Sequence, residues 1–343
     1  MPNRRKYLSL TATAITVGLA GCSGASDAPE RMTTADGASD DRTPTETTDH
    51  TAMEEETTTA TDPVTAAIGN LVEGDQMSLV VEDFQRGVNL GEYYDAESGN
   101  EFAVVSIALK NTSTEYVTVS NLLQTRLRDD HNYVYSPTFA SNDAATFSAG
   151  QFAPGEVERG GIPFEISTDA NGLELLFDVD GDIFGGINMA IIDLQSAADS
   201  VHTLEQSLQV DVHEPGDTTE HGNVQVAVNE YRTEGSLSGF AEPEQGNEYA
   251  IVDVSITNNM GEKQRFSTAL QMMLKDGEGY TYQEDLAATA QLDRAFDEGT
   301  PLGDGETRRG QFAYQVPEGE SPLYWVFEFN LFTSGTKTFW QVH

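Results

Sequence analysis

Gly99-Asn100-Glu101-Phe102-Ala103-Val104-Val105 recurs further along the chain as Gly246-Asn247-Glu248-Tyr249-Ala250-Ile251-Val252, a shift of 147 residues. The match runs outward in both directions. Upstream, Gly69 and Glu73 meet Gly216 and Glu220, Phe84 meets Tyr231, and Leu90 meets Leu237. Downstream, Asn111 meets Asn258, Leu127 meets Leu274, and Tyr133 with Tyr135 meet Tyr280 with Tyr282. Further on the shift becomes 150: Gly155-Glu156, Arg159 and Gly160 pair with Gly305-Glu306, Arg309 and Gly310, and Leu173 and Phe177 pair with Leu323 and Phe327. Self-similarity at a fixed spacing means two copies of one module.

Inside each copy the pattern is β. Phe102, Val104, Ser106 and Ala108 alternate with Ala103, Val105, Ile107 and Leu109, which is apolar on both faces at its start and suits a central strand. Leu123 to Arg128 and Asn132 to Tyr135 flank the turn Asp129-Asp130-His131, and the second copy repeats this hairpin around Asp276-Gly277-Glu278-Gly279. Strands follow from Gly155-Glu156 to Ile166, from Leu173 to Val179 and from Gly186 to Leu194. Short strands with turns every few residues predict an all-β chain of two tandem immunoglobulin-like antiparallel β-sandwich domains, after a signal peptide and a disordered stalk. The single helical candidate, Leu286 to Phe296, equally reads as loop.

The order Gly-x-x-Phe/Tyr-x-x-Val, then Lys-Asn or Thr-Asn and a turn, a hairpin, Pro-Gly-Glu and Leu-x-Phe resembles the telokin-like extracellular domains of unknown function. In the first copy the motif residues are Gly99, Phe102, Val105, Lys110, Asn111, Pro154, Gly155, Glu156 and Phe177. In the second they are Gly246, Tyr249, Val252, Thr257, Asn258, Gly305, Glu306 and Phe327, with Asp304 in place of the proline. The resemblance covers both copies. It implies an immunoglobulin-like fold of a kind frequent in prokaryotic surface lipoproteins, and no assigned activity.

Ahead of the copies, Arg4 and Arg5 precede a short apolar run that ends in Leu19-Ala20-Gly21-Cys22. The arginine pair resembles a twin-arginine export signal and Leu-Ala-Gly-Cys resembles a lipobox, so residues 1–21 read as a signal peptide and Cys22 as the lipid attachment point. The apolar run is too short to span a bilayer, which needs about 20 predominantly apolar residues. Residues 22–66 read as a disordered stalk: positions 23–66 hold 11 Asp or Glu, 2 Arg and no aromatic residue. The first domain is assigned to 67–194, a linker to 195–213 and the second domain to 214–343. The polar junction predicts two domains that melt separately. Cys22 is the only cysteine, so no intrachain disulfide can form.

The chain carries 57 acidic and 18 basic residues, a net charge of −39. Self-repulsion on this scale is relieved when molar salt shortens the Debye length to about 3 Å. Such a surface resembles proteins of extremely halophilic archaea. It excludes nucleic-acid partners, which require a basic patch.

The search for chemistry yields little. His131 sits in a hairpin turn whose counterpart is Glu278, so the module does not require an imidazole there. His213-Glu214-Pro215-Gly216-Asp217 with Glu220-His221 is the densest group of ligand-type residues, and its position between the copies favours polar linker. Asp178-Val179-Asp180-Gly181-Asp182 begins like a calcium loop but has Ile183 and Met189 where an EF-type loop needs Gly and Glu. Met272-Met273 point to opposite faces of a strand and cannot jointly hold a metal. Asn111-Thr112-Ser113 is an N-glycosylation sequon, expected at the surface. The expectation is therefore a non-enzymatic protein with no catalytic residues, cofactor or metal. It is held at the extracellular face of the membrane by a lipid on Cys22, and serves as a binding or structural module for another envelope protein or a glycan. The alternative is a solute- or metal-binding lipoprotein working with a membrane transporter, its ligand held around His213 and His221.

Overall fold

The computed structural model describes residues 63–91, 94–119, 125–138, 146–178, 189–237, 242–329 and 337–343. The leader, the stalk up to residue 62, and Val179 to Asn188 lie outside the described residues, and with them Arg4, Arg5, Cys22 and most of the calcium-loop lookalike. Thr58–His343 forms one compact unit that holds both copies.

In the first copy, β1 (Val64–Ile68) leads through Gly69 into β2 (Leu71–Glu73), followed by β3 (Met77–Arg86), β4 (Asn100–Asn111), β5 (Val117–Val119), β6 (Thr125–Arg128) and β7 (Val134–Tyr135). Then come β8 (Gly150–Phe152), β9 (Val157–Ser167), β10 (Glu174–Asp178) and β11 (Met189–Ala197). One sheet runs β2-β3-β4-β9 and the other β1-β11-β10-β6-β7, with β5 and β8 as a separate pair. The second copy repeats this plan. Its strands are β12 (Val212–His213), β13 (Thr218–His221), β14 (Val224–Glu234), β15 (Asn247–Asn258), β16 (Met272–Asp276), β17 (Thr281–Tyr282), β18 (Thr307–Pro317), β19 (Leu323–Glu328) and β20 (Lys337–Gln341). They form sheets β13-β14-β15-β18 and β12-β20-β19-β16-β17. Even the bulge recurs, opposite β4 after Val81 and opposite β15 after Val228.

Each copy closes its own core between its two sheets. The first is filled by Val105, Ile107, Leu127, Phe164, Leu175 and Phe177, and the second by Val252, Val254, Leu274, Phe312, Trp325 and Trp340, every one at most 1% exposed. The central strand read at Phe102 to Leu109 lies mid-sheet, as its two apolar faces require: Val105 and Ile107 enter the core while Phe102 and Ala108 are buried on the outer face. A loop crosses β9 at Gly160, where a Cβ would lie 2.3 Å from Phe147 N, and crosses β18 at Gly310, 2.4 Å from Phe296 Cα. Only glycine lets backbone approach so closely, which accounts for both residues of that pair.

The two tandem β-sandwiches are as expected, and three details differ or are settled. Within the mainly antiparallel sheets, β1 pairs with β11 and β12 with β20 in parallel. Each of these strands joins its sheet from outside, without a hairpin to fix its direction, so the parallel register is open to it. The helical candidate shrinks to one turn, Leu286–Thr289, which follows an earlier turn, Thr268–Gln271; Asp285 Oδ1 caps it by accepting from Ala288 N at 2.9 Å. Ala288 and Leu292 bury against Tyr249, Ile251 and Ala313, so the segment is a lid over one face of the sheet.

The third correction concerns the junction. Ala153 and Tyr116 of the first copy share an apolar cluster with Leu208 and Val210 of the linker and with Met273, Val326, Phe339 and Tyr324 of the second. The linker is a packed strap. Leu204 sits on Val80, Ala108 and Val157, while Ser207 N and Gln209 N donate to Gly155 O and Pro154 O at 2.9 and 2.8 Å. With a shared apolar cluster, the two domains have no reason to melt independently.

Candidate functional site

A buried group of four ionisable side chains lies between the copies, contributed half by each. Glu156 precedes β9 and Glu158 belongs to it; Lys275 comes from β16 and Lys337 from β20. Strand alternation places Glu156 and Glu158 on one face. Lys275 Nζ bonds Glu156 Oε1 at 2.8 Å and also Glu158 Oε2. Lys337 Nζ bonds Glu156 Oε1 at 2.6 Å and Gln151 O at 2.9 Å. Ala153 N donates to Glu156 Oε2 at 2.7 Å, and Thr281 Oγ1 donates to Glu158 Oε2 at 3.0 Å. Glu156 and Lys275 are fully buried.

Burial opposes ionisation of Glu156, but Lys275 and Lys337 outweigh it and hold its carboxyl below the ordinary value. For Glu158 burial, aided by the neighbouring Glu156 charge, wins over Lys275 and Lys337 and pushes the carboxyl up; its Oε1 has no hydrogen-bond partner. Burial pulls the Lys275 ammonium down, yet Glu156 and Glu158 together raise it. Beside this group Arg159, 5% exposed, pairs with Glu82 through Nε at 3.0 Å. Its other nitrogens reach Glu278 O in the second copy and Leu204 O in the strap, both at 2.7 Å, and its backbone N donates to Gly279 O at 2.8 Å. Buried in this way, the four-residue cluster and Arg159 can fix one arrangement of the copies, but they present no reactive group to solvent.

Two depressions flank the joint. One, of about 500 Å³, lies between the strap at Gln206 to Leu208 and the second copy at Glu278, Glu320 and Tyr324. The other, of about 190 Å³, lies between Thr118 and Gln151 of the first copy and Met273 and Glu328 of the second.

The sequon residue is buried, which corrects the expectation of a surface glycan acceptor. Asn111 is 0% exposed; its Nδ2 donates to Glu115 O and Phe152 O at 2.7 and 3.0 Å, and its Oδ1 accepts from Ser113 N and Oγ. Asn258 does the same in the second copy, donating to Glu262 O and Leu302 O. Both amides lock the corner where the long central strand ends.

The hairpin carboxylates are structural too. Asp129 accepts from His131 N, Tyr133 N and the Tyr135 hydroxyl, and Asp276 accepts from Glu278 N, Gly279 N, Tyr280 N and the Tyr282 hydroxyl. Asp129, Asp130 and His131 are the one group of three ligand-type residues with atoms within 4.8 Å of one another among the described residues. His213 lies against the Trp340 ring and His221 against the Phe329 ring, with centroids 5.6 and 5.9 Å apart, and they form no such group at the junction.

Sequence reading named Glu156 and Arg159 only as repeat positions, not as joint residues, and missed Glu158, Lys275 and Lys337 entirely. The available signal was Lys275 directly after the apolar run Met272-Met273-Leu274 on one predicted strand, since a lysine on a buried strand requires an acidic partner.

No curated protein matches the chain. Among solved structures, it is similar to a β-sandwich protein of Clostridium difficile 630, with 18% identity over 39% of this chain and 95% of that one and a TM-score of 0.29. It is also similar to the secreted protein MPT63 of Mycobacterium tuberculosis, with 15% identity over 38% and 98% of the two chains and a TM-score of 0.31. A candidate lipoprotein of Bacillus subtilis, ycdA, matches at 12% identity over 56% and 74%, with a TM-score of 0.31. The model of the family described as Domain of unknown function (DUF4352) matches twice, over residues 66–188 and 213–338, and the chain belongs to that family.

Proposed function

We propose that this protein is a lipid-anchored extracellular module whose tandem sandwiches act as one rigid, non-catalytic binding or structural unit at the cell surface. The observation that carries the reading is the joint. The buried carboxylates and ammonium groups of Glu156, Glu158, Lys275 and Lys337 are engaged with one another across the two copies, where they set relative orientation. A fixed orientation serves a protein that presents two surfaces to a partner at once, because it removes the entropic cost of ordering them on contact. The arginine pair Arg4-Arg5 and the run ending in Cys22 support export followed by lipidation. The reading places another envelope protein or a glycan as the partner, and the acidic surface argues against nucleic acid.

The test is crosslinking and pull-down from intact cells in high salt, run beside membrane fractionation of a Cys22→Ser variant. The proposal expects a specific partner or glycan in the captured material and loss of the variant from the membrane fraction. A variant that still sediments with membranes after a high-salt wash would remove the lipid anchor, and capture of a membrane transporter would favour the solute-binding alternative.

A further inference from the structure

The joint is heterologous: the β9 side of the first copy meets the β16, β19 and β20 sheet of the second. Heterologous contacts between repeated units propagate into open filaments unless something stops them. Both copies carry both faces of the module, so the β18 side of one chain could in principle dock on the β6, β10 and β11 sheet of another. The residues at those positions decide whether it does.

Position by position, the second copy keeps Glu306 and Arg309 where the first has Glu156 and Arg159, but it has lost the rest of the docking chemistry. Glu158 becomes Arg308 and Val157 becomes Thr307; Ala108 becomes Ser255 and Val80 becomes Ala227. The receiving face of the first copy has changed as well. Strand pairing aligns Arg128 with Lys275, since Arg128 lies opposite Glu174 as Lys275 lies opposite Tyr324. It aligns Met189 with Lys337, opposite Asp178 and Glu328 respectively. A chain-to-chain joint of the same geometry would therefore set the Arg308 guanidinium, in place of the Glu158 carboxylate that meets Lys275, against Arg128, which Glu174 already engages, and would leave Glu306 as the one carboxylate of the docking pair. It would also lack the second ammonium that Lys337 supplies, and the socket that in the first copy takes Leu204 of the strap would be lined by Ala227, Ser255 and Thr307. A guanidinium taken out of water where the intrachain joint has a carboxylate, with one fewer pairing group beside it, opposes association.

We infer that the joint is built to form once within each chain, and that residues Arg308, Thr307 and Ser255 close the second copy to addition of another chain through the same contact. The charge rule works in both directions. Placing arginine at Glu158 should open the intrachain joint, and placing the first copy's residues in the second should make its face adhesive.

The experiment is sedimentation equilibrium of the full chain in molar KCl over a wide concentration series. Wild type should keep the mass of a single chain throughout. The variant Thr307→Val/Arg308→Glu/Ser255→Ala should reach about twofold or greater mass at high concentration, and adding Arg128→Glu should return it to a single chain. Wild type that self-associates and is dispersed by Arg308→Glu would overturn the inference, as would a folded triple variant as monomeric as wild type. A second measurement does not depend on that variant folding. In Glu158→Arg, protease cleavage within residues 195–213 should accelerate about tenfold or more relative to wild type as the strap is released. A strap that stays as protected as in wild type would sink the charge rule.

Discussion

Replacing Lys275 by Met tests the joint most directly, and the structure sets the size of the effect. Lys275 is fully buried and bonds both Glu156 and Glu158. Without it Glu156 keeps Lys337 at 2.6 Å, but Glu158 keeps only the Thr281 hydroxyl and its Oε1 already lacks a partner. A buried carboxylate left alone costs about 3–5 kcal/mol. Glu158 has an escape, which is to take up a proton. For a carboxyl of ordinary value 4.5, protonation at pH 7 costs about 3.4 kcal/mol at 1.36 kcal/mol per unit. The lower route wins, so the expected loss is about 3 kcal/mol at pH 7, shrinking by about 1.4 kcal/mol per unit as pH falls toward 5. Adding Glu158→Gln should recover most of it. The assay is urea unfolding in molar KCl at several pH values, followed by far-ultraviolet circular dichroism. A loss below about 1 kcal/mol at pH 7, or one that does not shrink with pH, would refute the argument that a buried, unpaired Glu158 governs the joint.

Replacing Asn111 or Asn258 by Ala should each cost about 1–3 kcal/mol through orphaned carbonyls, measured by the same unfolding; mass spectrometry of protein from the cell surface should find Asn111 unmodified, and a glycan there would contradict its burial. Spectrophotometric titration should find Tyr231, Tyr282 and Tyr314 resistant to ionisation at pH 10, because burial pushes Tyr231 up to about 12 and raises the other two further. Their raised values stabilise the fold below the unfolded value near 10 and are lost as pH rises through the folded values, so unfolding should begin in the alkaline range above 10; all 12 tyrosines titrating together near pH 10 in folded protein would count against this packing. Both tryptophans lie in the core of the second copy, so tryptophan fluorescence reports that copy while circular dichroism reports both. The two unfolding curves should coincide, and two separated transitions would return the domains to independence. Melting temperature should climb steeply from low salt to molar KCl, and a flat response would overturn the inference of a brine-adapted surface.

Repetition made the sandwich legible. A motif met twice, with the same apolar alternation and the same Asp-to-Tyr hairpin, reveals strands that one copy alone would leave ambiguous. The parallel pairings of β1 and β12 were not legible, because neither strand has a turn joining it to its neighbour. The sequon misled because Asn-Thr-Ser at a strand end is also what a buried corner amide requires, and only the three-dimensional corner separates the two. The joint was hidden for another reason. Glu156 and Lys275 are 119 positions apart and belong to different copies, so their meeting depends on the angle at which two sandwiches dock. In a chain with 57 acidic residues, nothing local marks the two that will be buried.

The strap also bears on where this protein can be cut. Gly155 adopts φ +78°, and a Cβ on it would lie 1.8 Å from Ser207 O, so the passing backbone is seated on that residue. Its fit leaves no slack for insertion or deletion between Leu204 and Gln209. A fragment ending with the last strand of the first copy would expose Val80, Ala108 and Val157, the seat of Leu204. The transferable piece, for a gene fusion as for recombination over evolutionary time, therefore extends past Val210 and carries its own cover with it.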